Sequence, residues 1–175
     1  LFNIFDLKND TVSLDVGAGT GLLTRELSTR PGARVYATEI SDGFLEHLRE
    51  DGRIDKNKVQ LIKCTEESLC LPESAMGTVD LAILCDVYHH ITHPRAVLTD
   101  LRIALKSDGR LVLVDYWRDP EKSSKADKNW VYDHLRGDKD DFVKEIAGAG
   151  FHVVDEPEID GVIENYAVVF SKSDQ

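Results

Sequence analysis

The sequence predicts an α/β fold, a doubly wound and mainly parallel seven-stranded sheet closed by an antiparallel strand. Three observations carry this expectation. Apolar, β-branched runs alternate with helical patterns along most of the chain. The first run passes directly into a glycine cluster, Asp15-Val16-Gly17-Ala18-Gly19-Thr20-Gly21. No crossover helix fits between Asp155 and Glu164, so the last two strands, Phe151 to Val154 and Asn165 to Ser171, must pair antiparallel through a hairpin-like connection.

The elements follow in order. Residues 11–16 read as a buried strand, and residues 21–29 as a helix with Leu22, Leu23 and Leu27 inward. Arg30-Pro31-Gly32 is a stop and turn before a second strand, Ala33 to Ile40. Ser41 or Asp42 caps the next helix, with Phe44, Leu45 and Leu48 on one face. Val59 to Cys64 is the third strand. Val79 to Cys85 is the fourth, apolar enough to be buried on both faces. Pro94 suits a first helical turn. The helix after it has Ala96, Val97, Leu98, Leu101, Ala104 and Leu105 on one face. Lys106 to Gly109 reads as a turn, and Arg110 to Tyr116 as the fifth strand. Trp117 to Asn129 is charged and aperiodic, a loop in the position of a lid. The aromatic, basic run Trp130 to Arg136 follows. Lys139 to Ala149 reads as a helix with Phe142, Val143, Ile146 and Ala147 inward.

The totals bound the function. At 175 residues the chain is one domain, residues 1–175, and 42% hydrophobic content supports a sizeable core. A formal charge of -11 argues against a nucleic-acid substrate, because phosphate contacts need clustered Lys and Arg. No apolar run approaches the roughly 20 residues that span a bilayer, so no membrane insertion is expected. Cys64, Cys70 and Cys85 have no metal-like spacing and read as reduced thiols of a cytoplasmic protein. The six histidines show no H-x-x-x-H or similar pattern, so no metal site is expected. A homodimer is left open.

The glycine turn points to a bound cofactor, since it brings bare backbone and N–H groups beside a ligand. A dinucleotide fingerprint expects a small residue where Leu22 stands. Asp15, before the first glycine, would repel a diphosphate and attract an amino group. Glu39 ends the second strand, and a carboxylate there can accept from two ribose hydroxyls. The apolar fourth strand ends in Asp86-Val87-Tyr88-His89-His90, at the sheet edge where α/β folds bind ligands.

Taken together, Asp15-x-Gly17-x-Gly19-x-Gly21, Glu39, Asp86-Val87-Tyr88-His89-His90 and Leu105-Lys106-x-x-Gly109-Arg110-Leu111 resemble class I S-adenosylmethionine-dependent methyltransferases of the small-molecule type. The resemblance spans roughly residues 10–172. It implies a Rossmann-like methyltransferase fold and S-adenosyl-L-methionine as cofactor. It implies that Gly17, Gly19 and Gly21 admit the cofactor, that Asp15 orients its methionine amino group, and that Glu39, with Ile40 beside it, holds the ribose. Many members carry Gly-Asp-Ala after the third strand. This chain has Cys64-Thr65-Glu66 there, so Thr65 or Glu66 is the adenine contact. Asp86 and Tyr88 would line the methionine and substrate side. In an extended segment adjacent residues point opposite ways, so at most one of His89 and His90 faces the substrate. His89 is preferred as a base or positioning group, and His134 as a second group reaching in from the lid. An N-terminal helix often covers the cofactor in this family, and Leu1 to Leu7 reads as only its tail. The expected reaction is methyl transfer to a small-molecule nucleophile by in-line displacement. A non-catalytic cofactor-binding partner module and a protein-substrate methyltransferase are the alternatives, with a nicotinamide-dependent reductase a weaker third.

Overall fold

The computed structural model describes residues 7–158 and 160–173. The stretch expected as a helix tail therefore lies, apart from Leu7, outside the described residues. Seven strands form one sheet: β1 (Val12–Val16), β2 (Arg34–Glu39), β3 (Val59–Lys63), β4 (Val79–Cys85), β5 (Leu105–Tyr116), β6 (Phe151–Asp155) and β7 (Asn165–Lys172). Their order is β3-β2-β1-β4-β5-β7-β6. Only β7 runs against its neighbours, and it is inserted between β5 and β6. The helices are α1 (Leu22–Ser28), α2 (Asp42–Glu50), α3 (Pro94–Ala104), α4 (Trp130–His134) and α5 (Lys139–Gly148). Among the described residues no helix is long and apolar enough to cross a membrane.

The two-residue period of the strands sorts the core into two layers. Leu14, Tyr36, Ala82, Leu84, Leu111, Leu113, Val168 and Phe170 pack on one face with Val97, Leu98 and Leu101 of α3 and Phe142 and Ile146 of α5. Val35, Ala37, Leu81, Ile83, Val112, Val114, Ala167 and Val169 pack on the other, with Leu23 and Leu27 of α1 and Leu48 of α2. The central strands are apolar on both faces because helices cover both. Fully burying one such leucine or phenylalanine stabilises the fold by about 1.5–3 kcal/mol.

Local chemistry sets the helix ends. Ser41 caps α2 by accepting from the Phe44 N–H. Asp138 and Asp141 form a capping box on α5. Pro94 occupies the first turn of α3.

Several sequence expectations are corrected. Leu22 is 67% exposed, because α1 begins at Leu22 on a left-handed Gly21 and turns that first residue outward. Phe44 is exposed while Leu45 and Leu48 carry the buried face of α2. Ala147 is exposed on α5. Lys106 to Gly109 is not a free turn. Leu105 already pairs with Val79, and the segment is an irregularity inside β5.

Candidate functional site

The carboxyl ends of β1, β2 and β4 open onto a cavity of about 460 Å³. One wall is the β1–α1 loop. Gly17, Gly19 and Gly21 have φ of 71°, 51° and 80°, where a side chain would be strained. The Gly17 and Ala18 N–H groups donate to the Thr38 carbonyl, which fastens the loop to β2. A methyl on Gly17 would fall 2.4 Å from the Val87 side chain, so this glycine lets the β1 and β4 loops touch. Gly19 meets nothing nearer than 3.9 Å and presents open backbone to the cavity. Gly21 is not on the cavity wall. It lets α1 close on α2, since a methyl there would fall 2.5 Å from Leu48.

Glu39 is 5% exposed and lines the cavity. Its Oε2 accepts from the Gly19 N–H at 2.8 Å and its Oε1 from the Ser41 N–H at 2.7 Å. Each oxygen keeps a second lone pair, so the carboxylate can still accept from two vicinal hydroxyls. Ile40 and Phe44 add an apolar flank beside it, and Thr65 and Glu66 face them from beyond β3. Thus Gly17, Gly19, Glu39, Ile40, Thr65, Glu66 and Asp86 are all brought to one cavity. A flat base on Ile40 and Phe44, a ribose diol on Glu39 and open backbone at Gly19 are what S-adenosylmethionine requires, and these residues fit it.

Asp15 lies behind the loop, 2% exposed and off the cavity wall. It accepts from the Thr24 hydroxyl at 2.6 Å, which ties β1 to α1. Burial raises its pKa from 3.8 to about 6, partly offset by the hydrogen bonds from Thr24. The folded state therefore binds this proton more tightly than the unfolded chain. Asp15's contribution to stability is full below about pH 4 and is lost as pH rises towards 6. Asp15→Asn should remove this dependence. Unfolding free energies at pH 4 and pH 7 should show the variant gaining on the wild type by on the order of 2 kcal/mol across that range. A constant difference would show that Asp15 does not titrate there.

The segment after β4 is not extended. Asp86 is left-handed, with φ of 52°, and Tyr88–His90 form a 3-10 turn. The alternation expected for His89 and His90 therefore does not hold, and their rings lie 4.1 Å apart. Asp86 lines the cavity and accepts from the Asn165 side-chain amide at 2.6 Å. Burial and the nearby Asp115 push its pKa to about 6. His90 lines the cavity, whereas His89 is buried. His89 Nδ1 is 2.6 Å from Asp115 Oδ1, and a carboxylate only accepts, so the ring donates there. His134 stands 5.0 Å from the His89 ring and 4.9 Å from the His90 ring.

Tyr88 departs from the expected lining role. It is fully buried, and its hydroxyl donates to Glu145 at 3.0 Å. Arg136 pairs bidentately with Glu145 and covers the Tyr88 and Phe142 rings. Tyr88 thus ties the β4 loop to α5. Tyr88→Phe should cost about 1 kcal/mol in thermal unfolding and leave cofactor affinity within twofold by calorimetric titration. A tenfold loss of affinity would return it to the site.

Phe44 also lines the cavity, and Asn165 and Asp115 hold Asp86 and His89, three roles that the sequence pattern does not predict. Nothing near Asn165 marks it. Asp115 does carry a signal, a lone carboxylate closing an apolar strand.

Known proteins resemble this chain. It is 29% identical over 116 residues to the ubiquinone/menaquinone biosynthesis C-methyltransferase UbiE of Paraburkholderia phymatum, covering 63% of this chain and 46% of that protein. It is 31% identical over 107 residues to the malonyl-[acyl-carrier protein] O-methyltransferase of Halalkalibacterium halodurans, covering 61% and 39%. It thus spans less than half the length of either relative. In structure it resembles a SAM-dependent methyltransferase from Aquifex aeolicus, with a TM-score of 0.79, 20% identity, and coverage of 97% of this chain and 86% of that one. The profile of the methyltransferase domain family matches residues 14–111, over half of the sequence, and the chain belongs to that family.

Proposed function

We propose that this chain transfers the methyl group of S-adenosylmethionine to a small-molecule nucleophile. The observation that carries this reading is the joining of Glu39, the open backbone at Gly19 and the Asp86–His90 edge in one cavity. Its volume lies within the range of about 300–1,000 Å³ usual for small ligands. The sulfonium supplies an already activated methyl group. The chain's own task is to position the acceptor in line with it and to exclude water. Glu39 holds the ribose, and Ile40, Phe44, Thr65 and Glu66 flank the base. Asp86 and His90 face the acceptor. Asp86, with a pKa of about 6, is able to take a proton from an acidic acceptor near neutral pH. Relatives named as a ubiquinone/menaquinone biosynthesis C-methyltransferase and as a malonyl-[acyl-carrier protein] O-methyltransferase support an acceptor carbon or oxygen.

That all described strands share one sheet supports reading residues 1–175 as a single domain. An exposed free thiol at Cys70 supports a reducing, cytoplasmic setting. The formal charge of -11 supports no nucleic-acid partner.

Calorimetric titration with S-adenosylmethionine, S-adenosylhomocysteine and NADH tests the cofactor. Micromolar binding of the first two, and none of the third, is expected. Release of S-adenosylhomocysteine with a panel of phenols and 1,3-dicarbonyls then tests turnover. Binding without turnover on any acceptor would favour the partner-module reading, and NADH binding would overturn the cofactor assignment.

A further inference from the structure

His89, His90 and His134 form a cluster that the methyl-transfer reading leaves mostly unused. The sequence shows no metal spacing, because two of the histidines are adjacent and the third lies far along the chain. The fold brings them together. The 3-10 turn leaves the His89 and His90 rings 4.1 Å apart, and α4 brings the His134 ring to 5.0 Å and 4.9 Å from them. One ring nitrogen from each lies within 4.8 Å of the other two.

We propose that His89, His90 and His134 bind one divalent transition-metal ion, of the zinc or cobalt kind, beside the acceptor end of the cavity. Three imidazoles around such an ion sit about 2.0–2.1 Å from it, which needs nitrogen separations of about 3.3 Å. His90 and His134 are exposed and can close the remaining gap by side-chain rotation. His89 is already oriented. Asp115 accepts a hydrogen bond from its Nδ1–H and leaves Nε2 to ligate, the carboxylate–histidine–metal arrangement that fixes tautomer and ring direction. Asp115 is itself held by the Tyr116 N–H and the His89 N–H, so the support is rigid. His134 is steadied by Trp130, stacked at 4.5 Å and 22°.

Asp86 and Asp115 supply negative charge nearby. Three protein nitrogens leave at least one coordination position free, as open catalytic sites do. His90 also lines the cofactor cavity, so that position adjoins the acceptor and suits an enolate, phenolate or carboxylate oxygen.

The test uses the full chain without a polyhistidine tag. Zn²⁺ is titrated calorimetrically, and Co²⁺ by its visible absorption. One equivalent per chain is expected, with the intense spectrum of four-coordinate Co²⁺. His134→Ala and His90→Ala should each weaken binding at least tenfold. Both residues are exposed, so circular dichroism should show an unchanged fold. His152→Ala, on the exposed side of β6, should have no effect. No binding, several weak equivalents, or affinity indifferent to His90 and His134 would overturn the proposal. None of these readouts depends on methyl transfer, so this proposal and the activity assignment can fail separately.

Discussion

Glu39→Gln is expected to weaken S-adenosylmethionine binding about 100-fold, although the substitution is nearly isosteric. In the wild type both carboxylate oxygens accept backbone hydrogen bonds, one from Gly19 and one from Ser41. A glutamine amide has one acceptor and one donor end. Whichever way it turns, an –NH₂ faces a backbone N–H, at about 5% exposure. The forced donor–donor contact disturbs the loop in the free and bound protein alike, whereas the ribose loses hydrogen bonds to a charged acceptor, roughly 2–3 kcal/mol, and 1.4 kcal/mol is tenfold in affinity. Calorimetric titration checks this. Unchanged affinity would show that Glu39 only shapes the loop and that the ribose lies elsewhere.

Asp115→Ala is expected to give the largest loss of stability among single changes at the site. The carboxylate is fully buried and accepts three hydrogen bonds: from His89 Nδ1, from the His89 N–H and from the Tyr116 N–H. Removing it leaves those buried donors without an acceptor, at about 1–3 kcal/mol each. A fall of at least 3 kcal/mol, or about 10 °C in Tm for a chain of this size, should appear in thermal unfolding. Asp115→Asn keeps one acceptor and should fall between the variant and the wild type. A loss below 1 kcal/mol would mean that water or a shifted side chain replaces the carboxylate.

These two positions differ in how far the sequence exposed them. Glu39 was legible because its meaning is local: a carboxylate ending a strand shortly after a glycine loop. The same holds for Gly17, Gly19 and Asp86, each at the carboxyl end of an apolar run. Asp115 acts through His89 across the β4–β5 pair, and nothing in either segment names the other. Tyr88 illustrates the opposite failure. It stands in a motif that points to the cavity, yet the 3-10 turn rotates its ring into the core beside Phe142.

Strand and helix order, the antiparallel last strand, the glycine turn and a carboxylate at the end of β2 were determined by the sequence alone. Each rests on periodicity or on the special backbone freedom of glycine, both of which act over a few residues. The tertiary structure decided which face each residue takes where the backbone leaves the regular period. At Asp86–His90 a left-handed residue and a tight turn replace the expected extension, so His90 reaches the cavity while His89 is locked to Asp115. The convergence of His89, His90 and His134 was likewise decided only there. It depends on how α4 lies against the β4 loop, a packing outcome held by Arg136, Glu145 and Trp130 rather than by any spacing along the chain.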